Sequence, residues 1–324
     1  MTEPAAVKLS DMLKKSQILS SGHRMCAGCA APTVVKLMGM ALRGPTIVCE
    51  ATGCLEVATT IYPFTAWEIP WIHVAFENAS AVASGVIEAI DIMREKGRVD
   101  KGHVDVIAIG GDGGTFDIGF GALSGMLERG HDVVYMVYDN GAYQNTGIQR
   151  SGATLPGQET TTSWAGKVEP GKRERKKPIA DIVAAHKIPY VATVDPYHYR
   201  DFIAKFRKAI EVDGPAFIHA FSPCPRGWRS QTGKSIELAK LAVETGIHPL
   251  FEVIDGEEWI MSGPSKNLKE LKPLNEYWET QGQFRHLKDP RWDDFKKQIQ
   301  DQVNHDWQLL RKRCGPYFNN WIIP

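Results

Sequence analysis

The chain has 324 residues, 43% hydrophobic and 23% charged, a balance that excludes a disordered or fibrous protein and suffices for one large domain or two ordinary ones. Its 38 lysines and arginines equal its 38 aspartates and glutamates, so no bulk field draws in nucleic acid or an anionic membrane. No stretch of about 18 apolar residues offers a membrane span, and residues 1–19 lack a signal-peptide apolar core, so a cytoplasmic protein is expected.

Six cysteines, at 26, 29, 49, 54, 224 and 314, then call for metal ligation or simple burial, because a disulfide framework is improbable in that setting. Cys26-Ala27-Gly28-Cys29 is tight enough to place two thiolates on one metal or cluster. A helix is expected at 31–42 and a strand at 46–50, with Cys49 packed inside it. Cys54 follows directly in Ala51-Thr52-Gly53-Cys54. A strand at 71–75 carries His73, which reads as a satisfied core histidine. A helix at 78–96 comes next, with Glu77 complementing its dipole.

Residues 104–109 read as a strand buried on both faces, running into Gly110-Gly111-Asp112-Gly113-Gly114. Glycines let backbone N–H groups approach a phosphate closely, the following helix (116–129) points its positive end there, and Asp112 offers a hard oxygen to a divalent ion. The next strand, 133–138, closes on Asp139-Asn140, which emerge at the same sheet edge. One Gly-Asp-Gly is more often a turn, but paired with this second strand end it matches a thiamine diphosphate motif. The rival glycine string from Gly119 to Gly125 has the wrong spacing for a dinucleotide and falls inside the helix.

Residues 141–178 form a long polar connection ending in Lys172-Arg173-Glu174-Arg175-Lys176-Lys177, which reads as a solvated loop or as a dock for an acidic partner. Helices at 179–186, 197–212 and 234–245 flank strands at 190–194 and 216–221, and Cys224 sits in Ser222-Pro223-Cys224-Pro225 beyond the last strand. From about residue 256 the chain is charged, with tryptophans at 259, 278, 292, 307 and 321 and little strand pattern. It reads as a helical and irregular arm wrapping a neighbour. The expected architecture is α/β, a doubly wound and mostly parallel sheet over 1–255, followed by the arm at 256–324. Cys26, Cys29, Cys54 and Cys224 can converge at the carboxyl edge of that sheet. Ligand count alone does not separate a [4Fe–4S] cluster from zinc, but an electron-rich thiamine adduct calls for a one-electron acceptor, and zinc is not one.

These segments, together with Gly22-His23-Arg24-Met25 ahead of the first cysteine pair, Trp71-Ile72-His73-Val74-Ala75-Phe76-Glu77-Asn78, Tyr138-Asp139-Asn140-Gly141-Ala142-Tyr143-Gln144-Asn145-Thr146-Gly147, Arg226-Gly227-Trp228 and Gln281-Gly282-Gln283-Phe284-Arg285-His286-Leu287, resemble the β subunit of the 2-oxoacid:ferredoxin oxidoreductases, most closely the multi-subunit pyruvate type. The resemblance implies the thiamine diphosphate-binding fold. It implies Mg²⁺ on Asp112, Asn140 and the Ala142 carbonyl, and a diphosphate lined by Gly111, Asp112, Gly113, Gly114, Asn140, Gly141, Ala142, Tyr143, Gln144 and Asn145. It further implies Asn145 reaching the substrate and a [4Fe–4S] cluster on Cys26, Cys29, Cys54 and Cys224, with Cys54 beside the cofactor. Partner α, γ and δ chains, ferredoxin and coenzyme A follow from it too. Ala31 stands where some members carry a cofactor-contacting glutamate. Gly141 and Gln144 also depart from many members and flank Asn145, leaving other 2-oxoacids such as phenylglyoxylate or oxalate open beside pyruvate. The reading from another class is a zinc-stabilised binding subunit without redox chemistry.

Overall fold

The computed structural model describes residues 17–99 and 102–315. Helix and strand alternate through α1 (Ala31–Ala41), β1 (Thr46–Ala51), α2 (Cys54–Thr59), β2 (Trp71–Val74), α3 (Ala79–Glu95) and β3 (Asp105–Gly111). A π-helical turn, Gly113–Ile118, leads into α4 (Phe120–Glu128), then β4 (Val134–Asp139), α5 (Ile179–Ala184), β5 (Tyr190–Val194), α6 (Tyr199–Glu211) and β6 (Ala216–Phe221). The short α7 (Pro225–Trp228) and α8 (Ser235–Glu244) precede β7 (Phe251–Ile254) and β8 (Glu258–Met261). After them come α9 (Gly263–Lys266), α10 (Leu274–Trp278), 3₁₀ segments at Gly282–Lys288 and Pro290–Trp292, and α11 (Asp293–Arg313). None of the described helices is long and apolar enough to cross a membrane.

These strands form one sheet in the order β2-β1-β3-β4-β6-β5-β7-β8. Strands β1 to β6 pair in parallel, and β7 and β8 close one edge antiparallel. The central parallel strands β1, β3, β4, β5 and β6 are almost wholly buried and largely apolar because helices cover both faces, whereas β2 at the edge is half-exposed. In β3, Ile107 and Ile109 enter the cluster formed with α1 and α6, while Val106 and Ala108 enter the one formed with α3, α4 and α5. The doubly wound, mostly parallel sheet expected from the sequence is therefore present. From β1 the chain crosses to β2 on one side, and β3 lies on the other. This reversal opens a crevice at the carboxyl ends of β1 and β3, the usual ligand position in such sheets.

Strand β8 corrects only the start of the segment read from 256 onward, which is otherwise helical and irregular as expected. The β7–β8 hairpin straddles residue 255, so the sheet continues into the segment read as helical and irregular. Its residues alternate between exposed and half-buried, and a four-residue edge strand of that kind carries none of the both-face apolar signal of the central strands. Beyond it, Tyr277, Trp278, Phe284 and Trp292 pack with Phe221, Trp228 and α8 in a third cluster, and Trp307 is likewise buried. Of the tryptophans in this segment, 278, 292 and 307 are thus buried against their own chain and 259 is half-buried; Trp321 lies outside the described residues.

Phe284 is 1% exposed. Phe284→Ala should lower the stability of the unpartnered chain by about 3–5 kcal/mol, read from the midpoint of denaturant unfolding. An unchanged midpoint would mean that this cluster contributes nothing without another subunit.

Candidate cofactor-binding site

The crevice at the switch point is lined by Thr52, Gly53 and Cys54 after β1, Gly111, Asp112, Gly113 and Gly114 after β3, and Asn140, Ala142, Tyr143, Gln144, Asn145 and Thr146 after β4, with Phe76 and Tyr138 completing the wall. Sequence reasoning named most of these residues, and the parallel register brings them together. The glycines have a second task beyond ligand approach. A Cβ on Gly113 would stand 2.2 Å from the Tyr143 ring, and one on Gly114 would stand 2.9 Å from the Phe76 carbonyl. The helix expected after the loop begins as a π turn, with Gly119 N–H donating to the Gly114 carbonyl at 2.7 Å. A Cβ at Gly119 would lie 2.3 Å from that oxygen. Such turns are frequent at functional sites.

Asp112 stands at the start of this turn, makes no capping bond to it, and is buried. It accepts Asn140 N–H at 3.2 Å on Oδ1 and the Ser151 hydroxyl at 2.5 Å on Oδ2. Burial and then the Asp139 carboxylate push its pKa well up, so an adjacent cation would stabilise its charged form. The Asn140 carboxamide places one terminal atom 2.9 Å from Asp112 Oδ1 and 2.8 Å from the Ala142 carbonyl oxygen. Nitrogen in that position donates to both. Oxygen in that position completes a trio of hard donors suited to a divalent ion.

A layer behind the cleft escaped sequence reasoning. Asp139, also buried, accepts Gly141 N–H at 3.0 Å, contacts His219 Nε2 at 2.7 Å and pairs with Lys176. Burial opposes its ionisation, but Lys176 and His219 hold its pKa below the usual carboxylate range. The Thr154 hydroxyl donates to the Gly141 carbonyl at 2.6 Å, and the Tyr143 hydroxyl to the Gly113 carbonyl at 2.8 Å. Trp228 Nε1 and Gln144 Nε2 both donate to the Asn140 carbonyl, at 2.8 and 2.9 Å. No sequence spacing announces these partners, which come from a loop, a neighbouring strand and a turn far along the chain.

The basic run is solvated only in its middle: Arg173, Glu174 and Arg175 are exposed, while its lysines turn inward. Lys172 is buried, donates to the carbonyls of Thr154 and Arg175 at 2.6 and 3.2 Å, and has its pKa lowered to about 8 by burial and the nearby Arg150 charge. Lys176 turns to Asp139 and Lys177 to the Phe116 carbonyl, while Arg173 and Arg175 pair at the surface with Glu169 and Asp306. His73 corrects another expectation. It is exposed at the sheet edge, stacked on Trp71 and bonded through Nε2 to Thr52 Oγ1 at 2.7 Å, because β2 is an edge strand with an uncovered face.

Cys54 opens α2 after β1, and Cys224 precedes α7 after β6. The Cys26–Cys29 turn docks beside them: Cys29 N–H donates to the Cys26 carbonyl at 3.0 Å, and Ala30 N–H to the Pro223 carbonyl at 3.2 Å. Burial raises the thiol pKa of Cys29 and Cys54 to about 12. Among the described residues no group of three or more His, Cys, Asp or Glu side chains already stands at metal-ligand spacing. Cys49 is buried within β1 as expected, and Cys314 packs against the α3, α4 and α5 side.

The sequence model of the family described as "Thiamine pyrophosphate enzyme, C-terminal TPP binding domain" matches residues 51–220, from the last residue of β1 into β6. Pyruvate synthase subunit PorB of Methanocaldococcus jannaschii is 48% identical over 289 residues, 89% of this chain and 96% of that protein. PorB of Thermotoga maritima is 48% identical over 303 residues, 92% of each chain. Ketoisovalerate oxidoreductase subunit VorB of Pyrococcus furiosus is 40% identical over 313 residues, 96% of this chain and 98% of that protein. The solved 2-oxoglutarate:ferredoxin oxidoreductase from Magnetococcus marinus shares the fold, with a TM-score of 0.52 and 22% identity over 74% of this chain and 82% of that one. With a thiamine diphosphate domain over half its length and this identity across nearly all of it, the chain belongs to the thiamine diphosphate-binding β subunits of the 2-oxoacid:ferredoxin oxidoreductase family.

Proposed function

We propose that the chain forms the diphosphate half of a thiamine site and the cluster nearest to it in an oxidoreductase acting on pyruvate. The observation that carries this reading is the position of Cys54. It lines the same cleft as Asp112, Asn140 and Asn145, at the sheet edge where Cys224 follows β6 and the Cys26–Cys29 turn is hydrogen-bonded to the Cys224 loop. Pyruvate is supported by the relatives at 48% identity named pyruvate synthase.

Asp112, Asn140 and the Ala142 carbonyl would hold Mg²⁺, and their converging oxygens fit an oxygen-seeking divalent ion. Gly111, Gly113, Gly114, Gly141, Tyr143 and Gln144 would line the diphosphate. Four thiols at one sheet edge, of which burial makes those of Cys29, Cys54 and Cys224 costly to ionise without a positive centre, suit a [4Fe–4S] cluster in their chemistry once their side chains turn to a common point. When bound, thiamine diphosphate supplies carbanion stabilisation for loss of CO₂ from a 2-oxoacid, and the cluster supplies one-electron acceptance. This chain's contribution is then positional. Asn145, exposed in the cleft wall, orients the 2-oxoacid, and Cys54 brings the thiol set to the edge of the same cleft. Partner α, γ and δ subunits would hold the aminopyrimidine ring and complete the complex, with ferredoxin taking the electrons and coenzyme A the acyl group.

Asp112→Asn should weaken Mg²⁺-dependent thiamine diphosphate binding at least about tenfold in a calorimetric titration; unchanged binding would remove Asp112 from the metal site. Cys224→Ala in the anaerobically purified complex should abolish both pyruvate-dependent viologen reduction and the visible absorbance of the cluster nearest thiamine. Full viologen reduction without Cys224 would show that these thiols hold no required electron relay.

A further inference from the structure

The lysines of the 172–177 run have no task in the reading above, yet they end at the cofactor cradle. Lys172 Nζ fastens the run to the carbonyl of Thr154, whose hydroxyl holds the Gly141 carbonyl. Lys177 Nζ grips the Phe116 carbonyl within the π turn that follows Asp112. Lys176 Nζ pairs with Asp139, itself 1% exposed. These contacts reach both strand-end loops that make the cleft, one after β3 and one after β4.

Asp139 lines no part of the cleft, but Asn140 and Ala142 do. Between them lies Gly141, at φ +79°, a left-handed conformation that favours glycine, and its N–H is held by Asp139 Oδ1. Where the Asp139 carboxylate sits therefore sets where the Asn140 carboxamide and the Ala142 carbonyl point. His219 and Lys176 share the other oxygen, Oδ2. Removing a partner from a buried ion pair leaves an uncompensated charge, which drives local rearrangement. Here that charge would stand beside Asp112, a second buried carboxylate that faces the cleft.

We infer that Lys176 is a positioning residue for the metal and diphosphate cradle. Its ammonium, held on Asp139 behind the cleft, keeps the Asn140-Gly141-Ala142 turn in the geometry that presents its oxygens alongside Asp112. The inference rests on the proposed Mg²⁺–thiamine diphosphate site and adds to it a residue that touches neither ligand. Because the Lys176 side chain is 18% exposed, a small amine can reach the space it would leave.

The test is a titration of the assembled enzyme, freed of cofactor, with thiamine diphosphate at fixed Mg²⁺, followed by near-ultraviolet circular dichroism in the wild type, Lys176→Ala, Lys176→Met and Asp112→Asn. Loss of the ammonium should weaken cofactor binding about 10- to 100-fold in both Lys176 variants, the range found when groups supporting a ligand shell are removed. Ethylammonium should restore part of that affinity in Lys176→Ala in a dose-dependent way, and ethanol should not. Wild-type affinity in the variants, or a loss that ethylammonium leaves untouched, would overturn the inference. Should Lys176→Ala fail to fold, Lys176→Met, which keeps the stem and loses the charge, decides by its affinity alone. Wild-type affinity in Asp112→Asn would instead overturn the proposed cradle itself.

Discussion

Two carboxylates, Asp112 and Asp139, are buried at the ends of adjacent parallel strands, and much of the surrounding structure offsets the cost of keeping them there. One is compensated from behind by Lys176 and His219, and is thereby fixed. The other has hydrogen-bond donors in Asn140 N–H and Ser151, forms no salt bridge among the described residues, and faces the cleft. The asymmetry is chemically useful. A site meant for a divalent ion and a diphosphate needs one anionic oxygen left for the metal, and it needs the scaffold beneath that oxygen to be rigid.

The same sheet edge explains the thiols. Cys54 follows β1 and Cys224 follows β6, and parallel strands deliver both to the carboxyl side where Asp112 also emerges. The Cys224 turn is joined to the cradle by its own hydrogen bonds. Ser222 N–H donates to the Asp139 carbonyl at 2.8 Å, and Trp228 Nε1 to the Asn140 carbonyl. Diphosphate loop and cysteine loop are thus parts of one hydrogen-bonded unit. That is the structural basis for reading an electron donor and an electron acceptor into one cleft.

What the sequence revealed and what it hid divide along physical lines. The central strands were legible because a strand covered on both faces must be apolar at every position, as residues 105–111 and 216–221 nearly are. The Gly-Asp-Gly and Asp-Asn strand ends were legible because parallel register places them side by side. Strand β8 was not, since an edge strand has no such constraint. The lysines of the 172–177 run misled because a cluster of charges ordinarily faces water. Their true partners, Asp139 and the Phe116 carbonyl, lie 37 and 61 positions earlier in the chain, and no local pattern encodes such pairings. His73 misled for the opposite reason: an aromatic strand suggested a covered face that this sheet edge lacks.

The central claim is that one cleft joins a thiamine diphosphate cradle to a four-cysteine iron–sulfur centre within this chain. Anomalous diffraction at the iron absorption edge from anaerobically grown crystals of the native complex tests it most directly. The account predicts an iron signal enclosed by Cys26, Cys29, Cys54 and Cys224, with cofactor density against Asp112 and Asn140. A zinc signal at those cysteines, or no metal there while iron appears only in other subunits, would contradict it.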